Sequence, residues 1–166
     1  EMECVSRANL SALLSGLSYI FFEQGKYEQT AVCLAEAIAL ARESGMKLFE
    51  SDCLYREGEL LLARQQYAQS IAAFSQSTTL RESLNNAPRV AQSRLGLAHA
   101  TLLQGHPAKA KQLVTETMAA GAWRQDARPH QLAFRAFEVL SAAEDADAEN
   151  LLQEAKTLLK ARAEAI

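Results

Sequence analysis

The chain has 166 residues, 49% of them hydrophobic, and its 17 basic and 20 acidic side chains leave a net charge of −3. These charges are spread along the sequence and form no basic cluster for a polyanion, so we expect no nucleic-acid partner for this segment. With only 7 Gly and 3 Pro in a background rich in Ala, Leu, Glu and Gln, the composition excludes a strand-rich or disordered protein and predicts a single all-α domain.

The first predicted helix contains a long uncharged stretch, from Ala8 to Phe22. The stretch includes Asn9, Ser11 and Ser15 and is shorter than a helix must be to cross a bilayer. We therefore interpret it as a buried helix and expect no membrane partner. No basic leader followed by a small-residue cleavage site precedes it, which argues against a secretory signal.

Hydrophobic periodicity and turn signals predict eight helices joined by short connections. In chain order they are expected at 7–24, 27–42, 47–64, 67–81, 88–104, 107–120, 131–142 and 145–163. Gly25 and Gly45 follow helices at positions that favour a left-handed residue, and Pro88 and Pro107 begin helices. Because every connection is short, consecutive helices should be antiparallel neighbours whose pairs stack into a superhelix.

A period of 40 residues relates the helix pairs to one another. In the second helix of three pairs, a small residue is followed four positions later by a larger one and, after three more, by a second small one. These triplets are Thr30, Leu34 and Ala37, then Ser70, Phe74 and Ser77, then Ala110, Val114 and Thr117. Small residues also lie twelve positions before each triplet, at Ser18, Gly58 and Ala98. Such stripes predict helices that approach closely.

A fourth copy of the pattern is shorter. Ala148, Leu152 and Ala155 repeat the triplet, and Ala136 lies twelve residues before it, but the copy follows the third after 38 residues. A deletion in a loop would produce this change of spacing. The sequence therefore predicts four units, at about 7–45, 46–86, 87–127 and 128–166, in one repeat domain.

These positions resemble those of the tetratricopeptide-repeat (TPR) family, whose units carry a small residue in the middle of the first helix, helix A. The second helix, helix B, carries a small, a bulky and another small residue. The resemblance covers nearly the whole chain and implies a right-handed superhelix of antiparallel helix pairs that binds other proteins and is not an enzyme. The chain departs from the family in its period, which is 40 instead of 34, and lacks the usual helix A aromatic and the proline after helix B.

The longer unit is also similar to the helical-repeat segments of large bacterial signalling ATPases and of transcriptional regulators like the maltose-responsive activator. The closing segment, 134–163, carries most of this similarity. It implies an alternative function, in which a regulatory repeat domain senses an effector and acts on an attached switch domain. The nucleotide-binding motifs of such an ATPase do not occur in these residues, and the start at Glu1 suggests a piece of a larger protein.

In the repeat family, helix A residues line a concave groove that holds a peptide or a helix. The resemblance places nine residues of this chain in that groove: Tyr19, Phe22, Asp52, Tyr55, Glu59, Gln92, His99, His130 and Phe137. Phe22 and Phe137 also fit a second role, which is to fill the core between long helices. Tyr19 and Tyr55 fit the binding role better, because an apolar ring with a polar tip suits a binding surface.

The resemblance also bears on the kind of ligand. Some family members grip a peptide carboxylate with paired Lys and Asn residues, and the equivalent places here hold Ser15, Tyr19, Tyr55 and Glu59. A chaperone-tail ligand is therefore disfavoured. Asp52 and Glu59 suggest a ligand that carries some positive charge.

The sequence contains no pattern for catalysis or cofactor binding. It has no Gly-rich phosphate loop, no H-E-x-x-H and no nucleophile elbow. His99, His106 and His130 fall at no recurrent metal-ligand spacing. We therefore expect no enzyme activity, no cofactor and no bound metal.

Three cysteines indicate the redox compartment. Cys4, Cys33 and Cys53 form no C-x-x-C pair and leave an odd count, which fits a reducing compartment, with the cytoplasm as the default. Cys33 and Cys53 lie in apolar helical surroundings, so we predict small buried hydrophobic residues instead of reactive thiols.

Two further features concern the fourth unit. Trp123 precedes it and either fills the gap between the third and fourth units, which we favour, or marks an exposed partner contact. Lys156, Lys160 and Arg162 alternate with acidic residues and are interpreted as solvated charges on the last helix. This helix is only partly polar, so association of copies through an exposed end stays open.

Overall fold

A computed structural model describes residues 2–164, and the side chains from residue 7 onward except that of residue 8. This part of the chain forms eight α-helices and contains no strand. They are α1 (Met2–Glu23), α2 (Tyr27–Glu43), α3 (Lys47–Ala63), α4 (Tyr67–Ser83), α5 (Ala87–Leu103), α6 (Pro107–Ala119), α7 (Pro129–Ala142) and α8 (Ala148–Glu164). A 3₁₀ turn, Ala122–Gln125, lies between α6 and α7. The predicted all-α fold of helix pairs is confirmed.

The chain divides into two compact units, Glu1–Asn85 and Asn86–Ile166, called unit 1 and unit 2 below. In unit 1, α1 packs on α2, α3 packs on α4, and α2 packs on α3. Its hydrophobic core is built from residues of α2 and α3. These core residues are Leu34, Ala37, Ile38, Cys53, Leu54 and Leu60. None of the helices in the described residues combines the length and the apolar character needed to span a bilayer.

Unit 2 has its own core around Trp123, where α5, α7 and the 3₁₀ turn meet. The Trp123 side chain is fully buried, and its indole Nε1 donates a hydrogen bond to the Met118 carbonyl oxygen at 3.3 Å. Leu95, Val114 and Val139 belong to the same core. The predicted role of Trp123 as a filler between the third and fourth helix pairs is confirmed.

The small residues of the 40-residue pattern are needed for close packing within a helix pair. A β-carbon added to Gly58 of α3 would lie 2.8 Å from the Phe74 ring of α4, closer than packed atoms allow. The Ser70 hydroxyl of α4 donates to the Gly58 carbonyl oxygen at 2.8 Å. The predicted notch in helix A therefore exists, and the bulky residue of helix B fills it.

Equivalent positions in the first two pairs also share a hydrogen bond between helices. In the first pair the Ser11 hydroxyl donates to the Ala37 carbonyl oxygen at 3.0 Å. In the second pair the hydroxyl of Ser77 donates to the Ser51 carbonyl oxygen at 2.8 Å. These residues occupy the same two positions one period apart, with the donor on opposite helices. A side chain that reaches the neighbouring backbone requires the close approach that the pattern predicts.

The turns repeat with the same backbone geometry even where the residue changes. Gly25 and Gly105 have φ angles of 71° and 95°, and Gln65, midway between them in the sequence, has 60°. After helix B, Gly45 has a φ of 65° and Asn85 has 53°. A left-handed residue costs less as Gly or Asn than as Gln or Glu, so the turns at Gln65 and at Glu144, where φ is 52°, are the strained ones.

The fourth pair differs from prediction at two places. Helix α8 begins at Ala148 instead of 145, because Asp145 forms a turn in which its Oδ1 accepts from the Asp147 backbone N–H at 2.8 Å. Leu152, predicted as the inserted bulky residue, is only half-buried, and Leu151 and Leu158 pack against the unit 2 core instead. Ala148 and Ala155, the two small residues of the predicted triplet, belong to this core.

Candidate binding surface

The helix A residues of unit 1 lie on α1 and α3, which contact each other. The Ser15 side chain of α1 lies beside the Cys53 thiol of α3 and acts to lower the pKa of that thiol. One turn further along, the Arg56 guanidinium lies 5.1 Å from the centre of the Tyr19 ring. Tyr19 is 44% exposed. The structure therefore presents an exposed aromatic ring whose position is fixed by a cation–π contact from the neighbouring repeat.

Tyr55 is the second aromatic residue of this surface, and a buried arginine packs against its ring. The Arg81 side chain of α4 is fully buried, and its guanidinium lies 4.9 Å from the centre of the Tyr55 ring. The Tyr55 and Phe74 rings are 5.5 Å apart between centroids. Arg81 Nη2 also donates to Asp52 Oδ1 at 2.7 Å. Tyr55 is therefore half-buried and fixed on two sides.

The contact with Arg81 changes how the charge of this surface is interpreted. Asp52 is 30% exposed at its side chain and forms an ion pair with Arg81, so its negative charge is largely offset. Glu59, half-buried one turn after Arg56, is the other acidic residue expected in the groove. Asp52 is therefore engaged within the fold, and a positively charged ligand stays a prediction.

Arg56 and Arg81 are parts of this surface that the sequence prediction missed. Arg81 could have been found from the repeat register, because it lies 40 residues after Ala41, which ends the buried stripe of α2. A buried position filled by Ala in one repeat and Arg in the next requires a carboxylate nearby. Arg56 gives no such signal, because its role depends on the distance between two helices.

The two phenylalanines of the predicted groove are both half-buried and pack against cores. Phe22 packs against the unit 1 core, with its ring 5.7 Å from that of Tyr27. Phe137 packs against the unit 2 core, with its ring 5.7 Å from that of Phe134. These contacts match the core role that the sequence left as an alternative.

The remaining groove residues belong to unit 2 and are less accessible. Gln92 is only 5% exposed and lines a cavity of about 230 Å³ between the start of α5 and the loop before α7. His99 and His130 are half-buried. Burial lowers the pKa of His130, and the positive charges of Arg162 and Arg128 lower it further.

The described residues hold no group of three or more His, Cys, Asp or Glu side chains placed to bind a metal ion. Cys33 and Cys53 are buried and free, as predicted, while the Cys4 side chain lies outside the described residues. Burial raises the pKa of the Cys53 thiol more than the hydrogen bond with Ser15 lowers it. The surface thus offers aromatic rings and the Arg56 side chain for contact with a ligand, and its buried thiol is weakly nucleophilic.

Solved structures with a TPR-like helical-repeat fold resemble this chain. The apo form of RapI matches with a TM-score of 0.78 at 12% identity, over 94% of this chain and 58% of RapI. A variant of a Podosopora anserina protein assigned as a kinesin light chain, with nearly identical TPR-like repeats, gives 0.70 at 14% identity, over 94% of this chain and 77% of that one. A second structure of these repeats gives 0.67 at 14% identity, over 90% and 74%.

No protein-family model matches this sequence, and no curated protein matches it. The chain spans 58% of the length of RapI. At these low identities the similarity shows the fold, which is a TPR-like array of helix pairs.

Proposed function

We propose that this chain is a non-catalytic protein-interaction module that holds a peptide or a helix on the helix A surface of unit 1. The observation that carries the proposal is the exposed Tyr19 ring, fixed by Arg56 across the α1–α3 contact. Tyr and Arg are the residues most enriched among the energetically dominant positions of protein interfaces. A ring already held in place loses little conformational entropy on binding, which favours affinity.

Tyr55 and Glu59 extend this surface along α3. Part of the Tyr55 ring lies above the Arg81 guanidinium, and Glu59 is half-buried one turn further along the helix. Cys33 and Cys53 are buried and form no disulfide, which supports a location in a reducing compartment such as the cytoplasm.

The proposal is tested by selecting a random displayed peptide library on the immobilised chain and measuring the affinity of the enriched peptides. The double variant Tyr19→Ser and Glu59→Gln should weaken binding by about tenfold or more, the loss expected when an interface anchor is truncated. Tyr55 is left unchanged, because its ring packs on Phe74 and its removal would disturb the fold.

The matched control is Val32→Ser on the outer face of α2, which also removes an exposed apolar side chain. This control should bind the enriched peptides as the unmodified chain does. Failure to enrich any peptide, or equal affinity for the double variant, would show that this surface does not bind peptides.

The alternative function is an effector-sensing regulatory domain of a bacterial signal-transduction ATPase or transcriptional regulator. The cavity beside Gln92 supports it, because Arg89, Arg128 and Asp126 also line this polar space between the third and fourth helix pairs. A small polar effector bound there would raise the melting temperature of unit 2, which Trp123 fluorescence would report. A metabolite screen without any such shift would count against this alternative.

A further inference from the structure

The packing of α2 on α3 shows which helix faces join one repeat of this chain to the next. The Arg42 guanidinium of α2 donates from Nε to Glu50 Oε1 at 2.6 Å, and it also lies near Glu57. Cys53 and Leu60 lie in the core with residues of α2. One face of α3, with positions 50, 53, 57 and 60, is therefore the face that packs on the preceding repeat.

The same face of α1 is apolar and exposed. The residues one period earlier than those four positions are Leu10, Leu13, Leu17 and Ile20, and all are exposed, Leu13 by 65%. They follow the 3-4-3 spacing of a helix seam, and no charged residue interrupts the stretch from Ala8 to Phe22. This stripe, called the α1 stripe below, has the position of a repeat interface and more apolar surface than its counterpart on α3.

The last helix pair of the chain has a surface that corresponds to the α2 side of this contact. In the first repeat this surface of α2 includes Leu34, Ala37 and Ile38, which share a core with residues of α3, and the buried Ala41. Their counterparts in the fourth repeat are Leu152, Ala155, Lys156 and Leu159 of α8. Together with α7 they line an open groove of about 540 Å³, called the α7–α8 groove below, in which Phe134 and Leu159 are about half-exposed.

We propose that two copies of this chain associate head to tail, with the α1 stripe of one copy in the α7–α8 groove of the other. Both halves of the interface occupy positions that already pack against each other between α2 and α3 in unit 1. The α1 stripe is uncharged, so it brings no like charge to Lys156, whose ammonium group stays at the groove edge while its alkyl chain packs.

This arrangement is heterologous: the surface used by one copy differs from the surface used by its partner. A heterologous contact joins copies into a closed ring or an open filament, according to the rotation between neighbouring copies. We expect the mean mass of the 166-residue chain to rise with concentration above that of one copy. Sedimentation velocity across a concentration series measures this rise.

Two single variants separate the halves of the interface. Leu13→Asp damages the α1 stripe and Leu159→Asp damages the α7–α8 groove, and each should weaken self-association by about tenfold or more, because a carboxylate would lose water on burial against the apolar partner surface. Val32→Asp, on an exposed part of α2, is the matched control and should associate as the unmodified chain does.

The decisive experiment mixes the two variants in equal amounts. The Leu13→Asp chain keeps an intact groove and the Leu159→Asp chain keeps an intact stripe, so the mixture should form a one-to-one heterodimer that grows no further. Circular dichroism and Trp123 fluorescence confirm that each variant is folded. Leu10→Asp and Phe134→Asp serve as replacements if either variant is not.

Three results would overturn the proposal. An unmodified chain that stays monomeric at every concentration would show that the α1 stripe and the α7–α8 groove do not join copies of this chain. Self-association of Leu159→Asp alone would indicate a symmetric contact between two α1 stripes. A mixture of the variants that stays monomeric would show that stripe and groove do not bind each other.

Discussion

The Arg81 side chain is fully buried, and its Nη2 lies 2.7 Å from Asp52 Oδ1 in an ion pair. The Asp52→Ala substitution would leave a buried positive charge without this partner, and we expect a loss of about 3 kcal/mol in the free energy of unfolding. Asp52→Asn, which keeps an oxygen acceptor, should lose less. Urea denaturation followed by circular dichroism measures both changes.

The control for this prediction is Glu43→Ala, which removes an exposed ion pair with Arg7. Exposed pairs contribute little, so this variant should unfold at nearly the urea concentration of the unmodified chain. Equal losses of unfolding free energy in Asp52→Ala and Glu43→Ala would mean that the buried pair contributes no more to stability than the exposed pair.

The Cys53 thiol is buried, and its burial raises its pKa. A raised pKa reduces the thiolate fraction at any given pH, and the thiolate is the reactive form. We expect alkylation of Cys53 by iodoacetamide at pH 8 to be slowed by about a hundredfold in the folded chain relative to the chain in urea, since burial also blocks access. Peptide mass spectrometry resolves the labelling of each cysteine. Equal rates in the two states would contradict the burial of Cys53.

At the level of helices, the small residues of the repeat could be predicted from the sequence because packing at a fixed period constrains them. Gly58 is small because the Phe74 ring packs directly against it, and Ser70 is small where its hydroxyl reaches the Gly58 carbonyl oxygen. The partners of charged groups could not be predicted in this way. Arg56 contacts Tyr19 because of the distance between α1 and α3. The repeat period in the sequence does not specify that distance.

The Gly58→Ala substitution tests the notch between α3 and α4. The new methyl group would lie 2.8 Å from the Phe74 ring, and overpacking of this kind costs about 1–3 kcal/mol, of which the better helix propensity of Ala recovers up to about 1 kcal/mol. We expect a net loss of about 1–2 kcal/mol in urea denaturation. Combination with Phe74→Leu should lose less than the sum of the two single losses.

Gly16→Ala is the matched control for Gly58→Ala. Gly16 also lies inside a helix, but no neighbouring atom lies within 4 Å of the added β-carbon. This variant should gain up to about 1 kcal/mol from helix propensity alone. Opposite signs for the two glycines would support the notch, whereas a loss at both positions would assign the effect to something other than Phe74.

For the whole chain, the sequence predicts the four helix pairs but not their grouping. The 40-residue register treats every junction between pairs alike, so it gives no sign of the division after Asn85. The division reflects two separate cores, one around Leu34 and Leu54 and the other around Trp123. Core membership depends on which side chains meet, and a repeat period does not contain this information.

The separate cores predict that a cavity in one unit destabilises that unit first. Val139→Ala in unit 2 should cost about 2 kcal/mol and lower the midpoint of unfolding detected by Trp123 fluorescence, since Trp123 and Val139 share a core. Leu34→Ala in unit 1 should instead reduce the hydrogen-exchange protection of α2 and α3 and leave the fluorescence midpoint nearly unchanged. Hydrogen exchange followed by mass spectrometry distinguishes the two. If each variant lowered the fluorescence midpoint and the protection of α2 equally, the chain would unfold as one cooperative unit, and the two cores would not act separately.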